Sequence, residues 1–357
     1  MKFLNYESEI QAGNITKRKH PKWDLWILNY TPKCSYDSAW NDITRLCRGL
    51  IIDSKDNIIC RPFEKFYNWE EIETKWPDIF NKYKDKKPLR VSEKVDGSLG
   101  ILYPHPDGSL GIATRGSFES EQAIRGSEIL NKKYLDELWK LRPYMGIYTF
   151  LFEIIYPENK IVVQYDEEKL VLLDVIENST GNSKLDNFSN LNFKTATQYH
   201  WSSYDNLKSK NIKNKEGYVL IYDDNYRIKI KFENYIKLHY LKSNVSNYSI
   251  WEMLKNNESV DDLIKELPDE MYDWVKNIVE YFESMEFTTN ALIINIWNES
   301  KHLLNISRKN FALYINSVVE PRLRSALYAM ADKKDIHPYI WNILKPEQKT
   351  YFNKIQE

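Results

Sequence analysis

Lys94-Val95-Asp96-Gly97 sets a lysine two residues before an Asp-Gly turn, between the β-like runs Leu89–Glu93 and Leu99–Tyr103. A lysine held at such a turn beside a carboxylate could attack the α-phosphate of a nucleoside triphosphate and store the nucleotide as a phosphoramidate. A solvated hairpin corner is the competing reading of the tetrapeptide taken alone. What separates the two readings is whether other strands bring phosphate-binding groups to the same place.

Two hairpins are expected to do so. Leu99–Tyr103 turns through His105-Pro106-Asp107-Gly108 into Leu110–Arg115, which returns Arg115 to the level at which the first strand leaves Gly97. Glu216–Tyr222 turns through Asp223-Asp224-Asn225 into Tyr226–Phe232. Period-2 alternation puts Arg227, Lys229 and Lys231 on one face and Ile228, Ile230 and Phe232 on the other. Antiparallel pairing returns Lys231 to the level of Glu216. Two lysines and an acid then share one region, unless the hairpin is an edge with a solvated basic face. Glu153, in the aromatic run Tyr148–Ile154, would be costly to bury without a partner. For Lys94 to act as a nucleophile its amine must be neutral, which neighbouring cations and partial burial favour. A divalent metal would neutralise charge on the departing pyrophosphate.

The elements that must position these groups are legible in outline. From about Leu50 to Tyr240 short β runs alternate with turns, among them Lys160–Tyr165, with helices expected at Glu119–Trp139 and Tyr204–Lys210 and a loop at Asn178–Asn190. After Tyr240 helical periodicity takes over: Met271, Trp274, Val275, Ile278, Val279 and Phe282 form one apolar face, with Asp269 and Glu270 at its start. Further helices are expected over Trp251–Leu267, Phe287–Ile306, Lys309–Met330 and Tyr339–Leu344, punctuated by Pro268 and Pro321. The fold class is therefore α+β: an antiparallel-sheet domain over 1–243 and an all-α domain over 244–357.

Composition is compatible with this. The 357 residues suffice for two cores, and 25 Tyr with 11 Trp argue against disorder. The net charge of −1 supplies no global field for nucleic acid, so any such surface is a local patch. Cys34, Cys47 and Cys60 leave an odd thiol and form no Cys-x-x-Cys, pointing to a reducing, cytoplasmic setting. The histidines hold no pair at zinc-ligand spacing. No apolar run reaches membrane-spanning length, and the N-terminus does not read as a signal peptide.

The order of these elements resembles the covalent nucleotidyltransferase superfamily, and most closely the ATP-dependent RNA ligase 1 family of the T-even phage tRNA-repair type. The resemblance rests on Arg48-Gly49-Leu50, Arg61–Asn68, Lys94–Gly97, Thr114–Ser117, Phe152–Ile154, Pro157–Val162, Glu216–Val219, Lys229–Lys231 and Tyr235. It implies that Lys94 carries AMP, that Lys229 and Lys231 bind the α-phosphate, and that Arg48 and Lys65 grip the β and γ phosphates. It further implies that Glu93 contacts adenine through its backbone, that Glu153 binds the ribose, and that Glu216 organises Mg²⁺ or Mn²⁺. Asp96, Gly97, Arg115 and Tyr235 complete the nucleotide site, with Arg115 standing where the family has a lysine. The implied substrates are ATP and RNA with 5′-phosphate and 3′-hydroxyl ends, such as a nicked tRNA, with no membrane partner. The helical second domain fits this family better than the OB-fold of capping enzymes and DNA ligases. An mRNA guanylyltransferase or DNA ligase using the same lysine is the enzymatic alternative. A non-catalytic RNA-binding protein is the alternative of another class.

Overall fold

The computed structural model describes residues 3, 5–159, 162–243, 245–267 and 271–347. The chain divides into two compact units, 1–239 and 240–357. As expected, the first is α+β and the second helical.

Three sheets build the first unit. Strands β1 (Ile15–Lys19), β2 (Leu25–Tyr30), β3 (Arg48–Asp53) and β4 (Ile58–Cys60) form an antiparallel meander. The other strands are β5 (Tyr67–Asn68), β6 (Arg90–Lys94), β7 (Ser98–Pro104), β8 (Leu110–Ala113), β9 (Tyr148–Ile155), β10 (Lys169–Glu177), β11 (Lys194–Thr195), β12 (Gln198–Tyr199), β13 (Gly217–Ile221) and β14 (Arg227–Lys231). They make a second sheet ordered β11-β10-β9-β7-β8 and a third ordered β12-β6-β13-β14-β5. Pairing is antiparallel except for β10 with β11 and β14 with β5.

The sequence patterns explain which faces are buried. Phe150, Phe152 and Ile154 of β9 lie against Ile129, Leu130, Leu138 and Leu141 from the helices Glu121–Lys133 and Leu135–Leu141. Each such side chain contributes about 1.5–3 kcal/mol by leaving water. The opposite face of this sheet, with Ile101, Tyr103 and Leu151, packs on Ile27 and Ile51 of the meander. In the third sheet, Ile228, Ile230 and Phe232 join a core with Ile72 and Leu207 from the helices Trp69–Lys75 and Tyr204–Ser209. The alternate residues Arg227, Lys229 and Lys231 are nonetheless 8, 8 and 9% exposed, so the solvated-edge reading of this hairpin fails. β14 is an interior strand, flanked by β13 and β5.

The second and third sheets are clamped through Asp174. A bulge between Leu172 and Asp174 breaks the β9–β10 register at this residue. Its fully buried carboxylate accepts from Arg90 of β6 at 3.1 Å and Arg227 of β14 at 2.7 Å, and also from Ser183. At its far end β6 presents Lys94, so the clamp and Lys94 occupy opposite ends of one strand.

Some expectations need correction. Strands β1 and β2 and the helices Trp69–Lys75 and Pro77–Tyr83 lie outside the elements expected from sequence. The expected strand at Lys160–Tyr165 does not form over its described part, and Lys160 and Ile161 lie outside the described residues. The amides of Val162 and Val163 instead turn to the carboxylate of Asp96, at 2.9 and 2.7 Å.

The second unit contains the helices Asn247–Lys255, Val260–Glu266, Tyr272–Ser300, Arg308–Val318, Pro321–Ala331 and His337–Ile343. The expected apolar face is real: Met271, Val275, Val279 and Phe282 are buried. The two segments expected on either side of residue 285 are one continuous helix, because nothing between Phe282 and Phe287 breaks it. Pro321 opens a new helix at its first position rather than kinking one, since its missing N–H costs nothing there. Pro268, Asp269 and Glu270 lie outside the described residues. Among the described residues no helix is long and apolar enough to cross a membrane.

Replacing Asp174 with alanine leaves two guanidinium groups facing each other without their acceptor. The expected loss of unfolding free energy is roughly 3–5 kcal/mol by chemical denaturation. A loss of about 1 kcal/mol or less, the range of a surface ion pair, would show that the clamp does not hold the sheets together.

Candidate active site at the end of strand β6

Lys94 is the last residue of β6 and pairs in register with Gly217 of β13. Gly217 in turn pairs with Lys231 of β14, and the Phe232 amide donates to the Glu216 carbonyl at 2.9 Å. Three adjacent strands thus deliver Lys94, Glu216 and Lys231 at one level, which is the register anticipated for the second hairpin. Glu216 Oε1 lies 2.7 Å from Lys94 Nζ and 3.6 Å from Lys231 Nζ. The Glu216 side chain is only 4% exposed while that of Lys94 is 22% exposed, so the carboxylate is inside and the amine reaches outward.

Gly217 is required by this packing. Its φ is +156°, and a Cβ there would stand 1.9 Å from the Ile230 carbonyl oxygen. Gly97 is required by another close approach: a Cβ would meet the Ile154 carbonyl at 2.7 Å and Glu153 Cγ at 3.0 Å. The turn after Lys94 therefore lies directly on β9, with Glu153 beside it. Desolvation by burial pushes the Glu153 carboxyl up to about 8. The Lys94 and Arg48 cations pull it down, and Glu216 and Asp96 push it further up.

Asp96 is fully committed. One carboxylate oxygen takes the Val162 and Val163 amides, and the other takes the Tyr235 hydroxyl at 2.7 Å. Its own amide donates to Tyr165 Oη at 3.2 Å. The Tyr235 ring also lies 5.7 Å from Lys231 Nζ. Asp96 and Tyr235 therefore fasten the turn after Lys94 to the end of the β14 region. Glu93 faces the other way: its carboxylate receives Lys215 at 2.9 Å and Tyr199 Oη at 3.4 Å, and its amide donates to Thr197 O.

Three further cations come from the meander side. Lys65, only 6% exposed, holds its ammonium among the rings of Tyr30, Trp40 and Tyr67, at 5.7, 5.0 and 5.5 Å. Tyr67 is part of β5, whose Asn68 pairs with Lys229, so the same short strand ties Lys65 to the neighbourhood of Lys229. Arg115 donates to Tyr30 Oη at 2.8 Å and lies over its ring. Gly49, next to Arg48, backs onto Arg115, whose Cα lies 3.2 Å from where a Cβ would start. Arg48 itself lies over the Phe66 ring. β8 ends at Ala113, so Arg115 reaches its place from the turn beyond the strand rather than from the ladder.

The sequence pattern pointed to the charged groups but not to the aromatic ones that hold them. Tyr30, Trp40, Tyr165 and Tyr199 carry no motif, and their contacts span distant segments. Lys215 adjoins Glu216 in sequence but turns to Glu93, a partner that spacing does not reveal.

The donor set fits a nucleoside triphosphate with a nucleotide-borne divalent ion. Among the described residues no group of three His, Cys, Asp or Glu could hold a metal by itself. A single buried acid such as Glu216 suffices for a magnesium ion when phosphate oxygens and water complete its octahedron.

Comparison with known proteins agrees with this chemistry. An RNA ligase family model matches residues 46–236. The RNA ligase of Rhodothermus phage RM378 is 23% identical over 368 residues, covering 81% of this chain and 82% of that one. RNA ligase 1 of bacteriophage TS2126 is 34% identical over 137 residues, 36% of this chain and 33% of that one. Among solved structures, an archaeal ATP-dependent RNA ligase superposes with a TM-score of 0.48 at 13% identity, covering 79% of this chain and 78% of that one. The match spans every strand from β3 to β14 and every charged group of the cleft, and the chain belongs to the RNA ligase family.

Proposed function

We propose that this RNA ligase uses ATP and works through Lys94 as the AMP carrier, joining 5′-phosphate to 3′-hydroxyl RNA ends of the kind a nicked tRNA presents. The observation that carries the reading is the Lys94–Glu216–Lys231 arrangement, in which one buried carboxylate holds the nucleophile at 2.7 Å with a second lysine at 3.6 Å. In the first step the Lys94 amine, having given up a proton, attacks the α-phosphorus, and pyrophosphate leaves. In the second, an RNA 5′-phosphate oxygen attacks the AMP phosphorus and Lys94 departs as the free amine. In the third, an RNA 3′-hydroxyl attacks the activated 5′-phosphate, a phosphodiester forms and AMP leaves.

The residues divide this work by position. Lys229 and Lys231 face the reacting phosphate, where their charge matches negative charge that builds on its oxygens. Arg48, Lys65 and Arg115 receive the outer phosphates. Rings around Lys65 and Arg115 hold these cations in place before the nucleotide arrives, so little ordering remains to be done on binding. Glu153, beside Gly97, receives the ribose. Glu93 borders the base, with Lys215 and Tyr199 fixing its side chain. Asp96 and Tyr235 act on the nucleotide through the loop they brace. A divalent ion held by Glu216 and phosphate oxygens would offset the charge of the leaving pyrophosphate. The helical unit, residues 244–357 in this division, serves RNA recognition.

Lys94→Ala is expected to remove the covalent adduct of one AMP, seen by intact mass after incubation with ATP and Mg²⁺, together with sealing of 5′-phosphate RNA. Survival of both would sink the Lys94 assignment, and labelling by GTP alone would turn the reading toward a guanylyltransferase.

Gly217→Ala is expected to lower the rate of adduct formation at least ten-fold while the helical circular-dichroism signal is kept. A Cβ at this position pushes β13 off Ile230 and carries Glu216 with it. Unchanged adduct formation would show that the Glu216 position does not matter to the first step.

Glu153 gives a pH signature. Its carboxyl is raised from an ordinary 4.5 to about 8, so between those values the folded protein holds a proton that the unfolded chain has released. Stability should therefore fall as pH rises through this window and level off above about 8. Relative to Glu153→Gln, the wild type should lose on the order of a few kcal/mol between the two ends. Parallel stability curves for the two proteins would refute the raised value.

A further inference from the structure

We infer that a cavity at the opposite end of β6 from Lys94 is a second nucleic-acid subsite, which takes one or two nucleotides of a single-stranded RNA segment. The inference rests on RNA being the substrate and holds whichever lysine carries AMP.

The cavity encloses about 730 Å³ and is lined by Lys87, Arg90, Lys184, Tyr199 and Trp201. That is the size of a small-ligand pocket, and its chemistry is cation plus ring. Arg90 lines its inner wall, with Arg227 and Asp174 behind it, and this group carries net positive charge for a structural reason. Arg90 and Arg227 share the single carboxylate of Asp174, so two guanidinium charges face one negative charge. Of the acids at the rim, Asp223 is bound by Lys86, which leaves Asp186 against Lys87 and Lys184. Lys87 is exposed and Lys184 half-buried, with Glu177 3.7 Å from the latter. Both residues line the cavity, which places their positive charge beside any phosphate that enters it.

The rings supply the other half of the recognition. Trp201 and Tyr199 are half-buried: they pack on the core of the third sheet and also line the cavity. A base stacked on an aromatic face is held with little regard to its identity. The amides in the wall are already engaged: Asn225 donates to Asn182 at 2.8 Å, and Gln198 bonds to Ser92 and to the Ala196 carbonyl. The cavity thus binds phosphates and stacks bases without a prepared set of base-reading groups, which suits an enzyme that must accept many sequences.

Placement selects RNA over an unrelated anion. Arg90 and Lys94 are the two ends of β6 and point to the same side of it, about 13 Å apart at the rise of a β-strand. A strand anchored at the cavity is in reach of the reacting end. A free mononucleotide offers the same phosphate and base, so the test must separate the two sources.

The test uses the full chain and a fluorescent single-stranded RNA bearing a 5′-phosphate, with Kd measured across a salt series. For Lys87→Ala/Lys184→Ala the slope of log K against log salt should fall by about 1.4, which is about 0.7 for each lost phosphate contact. Trp201→Ala should weaken binding about ten-fold or more. Adduct formation from ATP should match the wild type in both. A charge-matched control, Lys55→Ala/Lys132→Ala, should leave the slope unchanged. Because Trp201 also packs on the core, the lysine pair decides if the tryptophan variant does not fold. A wild-type slope in the lysine pair, or an equal fall in the control, overturns the subsite. A shifted ATP dependence of adduct formation with RNA affinity unchanged assigns the cavity to a free mononucleotide and overturns the inference as well.

Discussion

One carboxylate shared by two ammonium groups organises this cleft. Glu216 is almost wholly buried, and a buried charge survives only when it is paired and hydrogen-bonded. Its partners, Lys94 and Lys231, arrive on different strands, so the pairing exists only if β6, β13 and β14 keep their register. A one-residue slip would turn each side chain to the opposite face. The requirement for glycine at 217 follows from the same constraint: β13 passes so close to the Ile230 carbonyl that no side chain fits. Chemistry and folding are thereby tied to one set of strand pairings.

The Lys94 site and the Asp174 clamp lie at opposite ends of β6. Asp174 ties the second and third sheets together through Arg90 and Arg227 at one end of β6, and Lys94 stands at the other. At that end a mixed set of charges lines the gap instead: Lys94, Lys229 and Lys231 with Glu216 on one sheet, and Glu153 on the other. Burial pushes the Glu153 carboxyl up to about 8, and the Lys94 and Arg48 cations pull against that shift.

What could be read from the sequence has a clear physical boundary. Period-2 alternation in Tyr226–Phe232 separated the basic from the apolar face correctly, because that pattern is local to one strand. Hairpin pairing then put Lys231 level with Glu216, since a short turn fixes the register. The same rules left open whether the basic face met water, which depends on a second sheet that the local pattern cannot describe. Strand β1 shows the failure from the other side: Thr16, Lys17, Arg18 and Lys19 are all exposed, so no alternation marks them as a strand. The segment Val162–Tyr165 looked extended by its β-branched residues and Tyr, yet its amides serve a carboxylate far away in the chain. Side chains that hold other side chains, such as Tyr30 beneath Arg115 and beside Lys65, were invisible for the same reason.

That boundary bears on how function is distributed over the residues of the Lys94 turn. Asp96 belongs to the same tetrapeptide as Lys94, and sequence reading places both at the nucleotide. Its carboxylate, however, accepts three hydrogen bonds from within the protein, a number that nearly exhausts its capacity. Three donors converging from separate segments hold the carboxylate in one position. A group so committed has little left for a ligand. It does have the means to fix where Val95 and Gly97 run, and hence where Lys94 begins. Tyr235 extends that fixing to the segment after β14, and its ring lies near Lys231. The two lysines that meet at Glu216 are thus joined a second time, through Asp96 and Tyr235. Loss of either link alone would leave the other to hold the pair in register.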